Sequence, residues 1–200
     1  MCRLESANAS FPGVEAGGHG PDYHSGLPLL SLLPAIQAAF RGLSNPPILV
    51  GAGGISNGAQ LAAVLPWAEG AVAGTAFLAT PESLYNEAQK KLILDADGSK
   101  TLRTMNFDLA RNTLGWGEGV DGRGIANTTS QEDADVVGSE AGVALYDKAV
   151  KSGDVNRIVT WAGSSVGEVT SGQGAAEVCQ TMERQALEAL DRLQRLWGRG

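Results

Sequence analysis

Three glycine loops at close spacing constrain this chain more than any other feature: Glu15-Ala-Gly-Gly-His19-Gly20, Gly51-Ala-Gly-Gly-Ile55 and Gly74-Thr75. Paired glycines let the backbone come close to a bound group, and successive N–H groups can cradle a phosphate. A histidine beside them can move a proton near neutral pH. The spacing suggests one composite active site.

The segments between the loops set the fold class. Leu29 to Phe40 is apolar at helical spacing, with Pro34 in or near the first turn and Gly42 placed to end it. Pro46-Pro47 separates this helix from Ile48-Leu-Val50, a short buried strand that stops at Gly51. Asn57 or Ser56 can cap the next helix, Ala59 to about Leu65, and Gly70 precedes a second apolar strand, Ala71-Val72-Ala73. Strand, glycine loop, helix, strand, glycine loop is the order of parallel α/β packing, in which covered strands read as continuous apolar runs.

Further along, Pro81-Glu-Ser83 predicts a helix start and a helix to about Leu94, followed by a turn at Asp95 to Gly98 and a strand in Thr101 to Phe107. Asn112 to Ser130 is glycine-rich and reads as an irregular loop over the site. Asp133 to Lys151 predicts a helix and Ile158 to Trp161 a brief extended segment. Ala175 to Trp197 predicts a long amphipathic helix with Leu187, Leu190, Leu193 and Leu196 spaced by three. The later half therefore reads as a helical cap.

Composition narrows the functions. A net charge of -7, with no run of lysine or arginine, argues against nucleic acid as a partner. Hydrophobic content of 43% marks a globular chain, and 200 residues suit one domain but fall short of the roughly 250 typical of a β/α barrel. No stretch reaches the length of a membrane span, and the first residues lack the apolar core of a secretion signal, so a cytoplasmic protein is the default. Cys2 and Cys179 sit in no metal-ligand or disulfide pattern and read as free thiols.

The site residues admit two readings at this level. The Gly51 loop fails the dinucleotide fingerprint because its sixth place is Ser56, and no lysine stands where a Walker loop needs one. Each glycine loop can be a tight turn, or the two together can bind a phosphate through N–H groups and the positive end of the following helix. His19 can be a loop histidine bonded to a carbonyl, or a base with room for a planar ligand beside Gly17 and Gly18. Glu15 can be a second acid, though a carboxylate before a glycine turn more often bonds backbone N–H groups or faces solvent; His24 has no partner nearby in sequence, and Trp116 and Trp161 serve either packing or the pocket wall.

At this point the chain resembles the nitronate monooxygenase family, formerly the 2-nitropropane dioxygenases. The resemblance rests on Glu15-Ala-Gly-Gly-His-Gly20, Leu30-Ser-Leu-Leu-Pro34, Gly51-Ala-Gly-Gly-Ile-Ser-Asn-Gly58 and Ala73-Gly-Thr-Ala-Phe-Leu78. Gly115-Trp-Gly-Glu-Gly-Val-Asp-Gly-Arg123 and Trp161-Ala-Gly-Ser-Ser-Val-Gly167 continue it in the same order. It implies a flavin mononucleotide (FMN) enzyme on a TIM barrel that oxidises alkyl nitronates or nitroalkanes with molecular oxygen to a carbonyl compound and nitrite. By the same resemblance His19 is the catalytic base, Gly17 and Gly18 lie near the flavin, and Gly53, Gly54, Gly74 and Thr75 bind its phosphate. No metal is implied.

Family members carry roughly half a barrel before the first loop, whereas fourteen residues precede Glu15. The resemblance thus implies an α/β chain corresponding to the C-terminal half of a (β/α)8 TIM barrel plus a mostly helical cap, with the N-terminal half missing. Residues 1–80 would be the partial barrel with the flavin-phosphate loops, 81–172 the cap and 173–200 a helix packing back on the barrel. An open half-barrel edge invites self-association. The alternatives are a related flavin-dependent enoyl-acyl carrier protein reductase and a non-catalytic remnant.

Overall fold

The computed structural model describes residues 8–198. Cys2 lies outside them, while Cys179 is an exposed free thiol. Among the described residues the strands are β1 (Asn8–Pro12), β2 (Gly18–Pro21), β3 (Ile48–Ala52), β4 (Gly70–Val72), β5 (Thr101–Thr104) and β6 (Val120–Ile125). The helices are α1 (Leu29–Ala39), α2 (Gly58–Val64), α3 (Glu87–Asp95), α4 (Asn106–Arg111), α5 (Thr128–Gln131), α6 (Ala134–Val137), α7 (Glu140–Ser152) and α8 (Ala175–Trp197). None of them is long and apolar enough to cross a membrane.

The strands form two small sheets, and the α/β class holds. One sheet is parallel in the order β1-β3-β4, with Ser10 opposite Val50 and Val50 opposite Gly70. Short apolar runs alternating with helices predicted its β3 and β4. The other is antiparallel in the order β2-β6-β5, with His19 opposite Gly122 and Arg103 opposite Arg123. Leu29, Leu33, Leu49, Ile55, Val64 and Ala68 form the core over the parallel sheet. A second core gathers Ala79, Ile93, Ile125, Ala162, Val166 and Val169, and each fully buried Leu, Ile or Val in such a cluster contributes about 1.5–3 kcal/mol.

Local chemistry moved several boundaries. α3 starts at Glu87, later than Pro81, because Asn86 accepts from the Gln89 N–H and the Gln89 side chain from the Asn86 N–H, a reciprocal capping box. The expected strand through Phe107 ends at Thr104, whose hydroxyl captures the Asn106 N–H at 3.0 Å and starts α4. The helix expected over 133–151 is two helices, broken at Gly138 and restarted by Ser139, which caps the Gly142 N–H at 3.1 Å. Pro34 sits one turn deeper in α1 than expected, and the helix continues past it to Ala39.

The largest correction concerns 112–130, which holds β6 and α5 and is not simply a loop. Glycines 122 and 124 lie within β6, where they serve close approach. A Cβ at Gly122 would stand 2.5 Å from Trp161 Cζ3, and one at Gly124 3.0 Å from the Thr160 carbonyl oxygen. Trp161 bridges to Gly124 at that point.

α8 spans the predicted residues but presents a different face. Val178, Met182 and Ala186 point inward, whereas Leu187, Leu190, Leu193 and Leu196 are 41–63% exposed. Its inner face lies along α2, where Gly58 is buried and its amide donates to the Gln185 side chain at 2.9 Å. A Cβ at Gly58 would overlap the Met182 carbonyl oxygen and the Ala186 nitrogen, both backbone atoms.

Helix propensity alone favours alanine over glycine by about 1 kcal/mol. Overpacking two backbones costs about 1–3 kcal/mol. Gly58→Ala is therefore expected to lower stability in urea unfolding; a gain in stability would show that α2 and α8 are not in contact as described.

Candidate active site

The first glycine loop is anchored before it is shaped. After β1, the Gly13 amide donates to the Ala52 carbonyl at 2.9 Å, and the Glu15 carboxylate accepts the first amide of α1, from Leu29, at 3.0 and 3.1 Å. That matches the backbone-bonding role read for Glu15. Gly17 is needed for close approach, since a Cβ there would come within 2.6 Å of the Ala162 and Gly163 backbone. Gly18 has φ +74 and turns the chain into β2, which carries His19.

Two buried guanidiniums hold this loop from behind. Arg103 donates to the carbonyls of Val14 at 3.2 Å, Ala16 at 3.3 Å and Gly20 at 2.9 Å, and its Nε bonds the Asp121 carboxylate. Arg123 donates to the Val14 carbonyl at 3.0 Å and to the hydroxyls of Thr101 and Tyr23.

His19 is caged by aromatic rings. Trp116 stacks on it with ring centres 3.8 Å apart and planes 14° from parallel, while Trp161 tilts against it at 5.0 Å. His19 Nε2 lies 2.8 Å from Oδ2 of Asp108, which is fully buried. The other carboxylate oxygen accepts from the Thr113 hydroxyl at 2.7 Å and the Trp116 indole N–H at 3.3 Å. Asn112, at a left-handed φ of 51, turns the chain after α4 so that Thr113 returns to Asp108. Of the two uses open to the tryptophans, both rings pack on His19, while Asp108, 89 positions from His19, is not marked by any motif in the sequence. Its one local signal is a carboxylate between Phe107 and Leu109 on a short apolar helix.

The other two loops complete a cavity of about 320 Å³. His19, Gly17, Gly18, Gly53, Gly54, Gly74 and Thr75 all line it, together with apolar Pro12, Val72, Leu78 and Trp161. Gly53 at φ +102 and Gly54 at φ +70 turn their backbone in conformations open to glycine. The Thr75 hydroxyl accepts the Gly163 N–H at 2.8 Å and keeps its own hydrogen to donate.

At the N-terminal end of α2 the Ser56 and Asn57 amides donate to Gln60 Oε1, the Gln60 amide to Asn57 and the Gly58 amide to Gln185, so these four amides are already engaged. The Gly53, Gly54, Gly74 and Thr75 backbone and the Thr75 hydroxyl stand at the cavity wall. His24 is exposed and stands apart from this cavity.

A family model described as nitronate monooxygenase matches residues 11–184. The nitronate monooxygenase of Neurospora crassa is 29% identical over 189 residues, covering 91% of this chain and 49% of the relative. A probable nitronate monooxygenase of Staphylococcus aureus strain Newman is 29% identical over 163 residues, 76% of this chain and 43% of the relative. The chain thus spans about half the length of these curated relatives. Among solved structures, a nitroalkane oxidase from Streptomyces ansochromogenes superposes with a TM-score of 0.75 at 28% identity, over 94% of this chain and 54% of that one. FabK from Thermotoga maritima superposes with a TM-score of 0.77 at 18% identity, over 97% of this chain and 58% of that one, a likeness of fold.

The Trp161 wall of the cavity is held by Tyr85, whose hydroxyl donates to the Trp161 carbonyl at 3.2 Å. Burial pushes the Tyr85 phenol up from 10.0 to about 12. The unfolded chain releases this proton near pH 10 and the folded chain near pH 12, so the stabilisation is complete below pH 10 and disappears as pH rises to about 12. Tyr85→Phe is expected to cost about 1 kcal/mol at neutral pH and to lose less stability than the parent between pH 10 and 12, read by urea unfolding across that window.

Proposed function

The chain belongs to the nitronate monooxygenase family, and on that premise we propose that its cavity binds FMN and oxidises alkyl nitronates and nitroalkanes with molecular oxygen, giving a carbonyl compound and nitrite. The observation that carries this reading is the convergence of His19 with both glycine loops on one cavity. When bound, the flavin supplies the redox chemistry with oxygen.

The residues present fit such a group. An added Cβ at Gly74 meets no protein atom within 4 Å, so a side chain there would intrude only on what the cavity holds. Gly53, Gly54, Gly74 and Thr75 hold the phosphate through backbone N–H groups and one hydroxyl. Gly17 and Gly18 let the flavin approach the loop, and Pro12, Val72 and Leu78 give it apolar walls.

His19 is the base for neutral nitroalkanes. It takes the proton from the carbon bearing the nitro group; the C–H electron pair passes into the nitro group and leaves the nitronate. The stacked Trp116 and tilted Trp161 hold the imidazole in one plane and keep bulk water from its faces.

In this reading β1, β3 and β4 belong to the C-terminal half of a (β/α)8 barrel. Residues 1–80 form the partial barrel, 81–172 the cap over the substrate and 173–200 the helix returning to the barrel. Among the described strands, β1 and β4 each pair on one side. Those edges accept further strands, of a longer chain or of a second copy.

His19→Asn in the FMN-loaded chain is expected to lower kcat/KM for neutral nitroethane by about 10²–10⁴-fold, while preformed ethyl nitronate, which needs no deprotonation, loses less than about 10-fold. Oxygen consumption measures both. Nicotinamide-dependent flavin reduction without oxygen uptake would instead favour the enoyl-acyl carrier protein reductase alternative, and neither activity a non-catalytic chain.

Gly74→Val separates the cradle from the fold. It is expected to leave thermal unfolding of the flavin-free chain within about 1 kcal/mol of the parent and to weaken FMN binding at least about tenfold, titrated by flavin fluorescence. Unchanged FMN affinity would remove Gly74 from the phosphate site.

A further inference from the structure

Asp108 has no part in the proton transfer described above, yet it is the most deeply buried charged group at the site. We propose that Asp108 is a positioning residue that holds His19 with its hydrogen on Nε2 and so makes Nδ1 the atom that accepts the substrate proton. This deepens the nitroalkane reading and rests on it.

The donor inventory around the carboxylate carries the inference. An indole nitrogen can only donate, and Trp116 donates to Oδ1, as does the Thr113 hydroxyl. Oδ1 is thus an acceptor twice over. An ionised carboxylate has no hydrogen to donate, so with Asp108 in that form Oδ2, 2.8 Å from His19 Nε2, accepts as well and the ring nitrogen facing it carries the hydrogen. A neutral imidazole has one N–H and one lone pair, which leaves the lone pair on Nδ1.

The same carboxylate also fixes the ring's plane. Trp116 is held by its indole bond to Oδ1 while its face stacks on His19. One buried group therefore sets both the tautomer and the orientation of the base. When Nδ1 takes the proton from substrate carbon, the imidazolium keeps its Nε2 hydrogen against Oδ2, and the electron pair from the broken C–H bond resides in the nitronate. The proton returns from Nδ1 to solvent before the next turnover.

Asp108→Asn tests this with little change of shape. Its amide oxygen can still accept from Thr113 and Trp116, which turns the NH2 group toward His19 Nε2 and moves the ring hydrogen to Nδ1. In the Ser-His-Asp triad the same exchange leaves the geometry intact and lowers kcat by about 10⁴.

The experiment uses the full chain labelled with ¹⁵N histidine in a His24→Gln background, so that His19 gives the only ring signals. The ¹⁵N shifts of the parent are expected to show a protonated Nε2 and an unprotonated Nδ1, and those of D108N the reverse. In the FMN-loaded chain D108N is expected to lower kcat for neutral nitroethane by about 10²–10⁴-fold at nearly constant KM, and to change the ethyl nitronate rate by no more than about threefold.

An Nδ1-protonated parent overturns the proposal, as does a D108N chain that keeps both tautomer and rate. The parent spectrum needs no change at 108, so the test survives if D108N does not fold. Turnover by a parent protonated on Nδ1 removes the Asp108 role alone. An Nε2-protonated parent with a D108N flip but no nitroethane turnover supports the positioning role and removes the nitroalkane reading.

Discussion

Everything at this site depends on two buried guanidiniums that grip a glycine loop by its carbonyls. A stretch such as Gly17-Gly18-His19-Gly20 loses more conformational entropy on ordering than any other composition, and it has few side chains with which to hold itself. Arg103 and Arg123 supply the hold from outside. Their donors reach the carbonyls of Val14, Ala16 and Gly20 while both side chains lie inside the fold. The three donors of a lysine could not serve three loop carbonyls and Asp121 together; the five donors of arginine's planar fork do. Asp121 offsets one of the two charges, and the hydroxyl and ring of Tyr23 cover the other.

That grip explains why the antiparallel sheet exists at all. Arg103 and Arg123 stand opposite one another on β5 and β6, and β6 pairs with β2 on its other side. The strand that carries His19 is therefore paired directly with one of the strands that carry the anchors. Gly122, opposite His19, is bare so that the Trp161 ring can lie against that position, with His19 Nε2 3.6 Å from where a Cβ would be. Loop, anchor and aromatic cage form one unit that spans both sides of residue 80.

The sequence made part of this legible, and the divide follows the range of the interactions. β3, β4, α1 and α8 depend on apolar runs and nearby stop signals, so periodicity located them within a residue or two. The seven residues that meet at the cavity stood out as candidates because glycine pairs beside histidine and threonine are local patterns. β6 was not, because glycine in a strand and glycine in a loop look alike until the tryptophan pressing on the strand is known. Asp108 was not, because its partners come from a loop several residues ahead and a strand far behind. The leucine spacing on α8 located the helix, but those leucines are exposed; Val178, Met182 and Ala186 are its buried positions, the first two clustered with Ala76.

Charge shows why the proposed phosphate cradle would have to be made of backbone. The chain carries a net charge of -7, and its two arginines nearest the loop are fully engaged behind it. No lysine or arginine is among the residues lining the cavity. Away from His19, an anion there would meet N–H dipoles and hydroxyls, whose pull is short-range and depends on the backbone being turned inward. Such a site tolerates an acidic surface but not a change in backbone path. That path is set at Gly53 and Gly54 by positive φ and by the Ala16 and Glu15 atoms packed against them. His19 is held under the opposite rule, by side chains: the Asp108 carboxylate at Nε2 and the rings of Trp116 and Trp161 against it. The two halves of the site thus respond to different substitutions, although the Arg103 and Arg123 grip on one loop orders both.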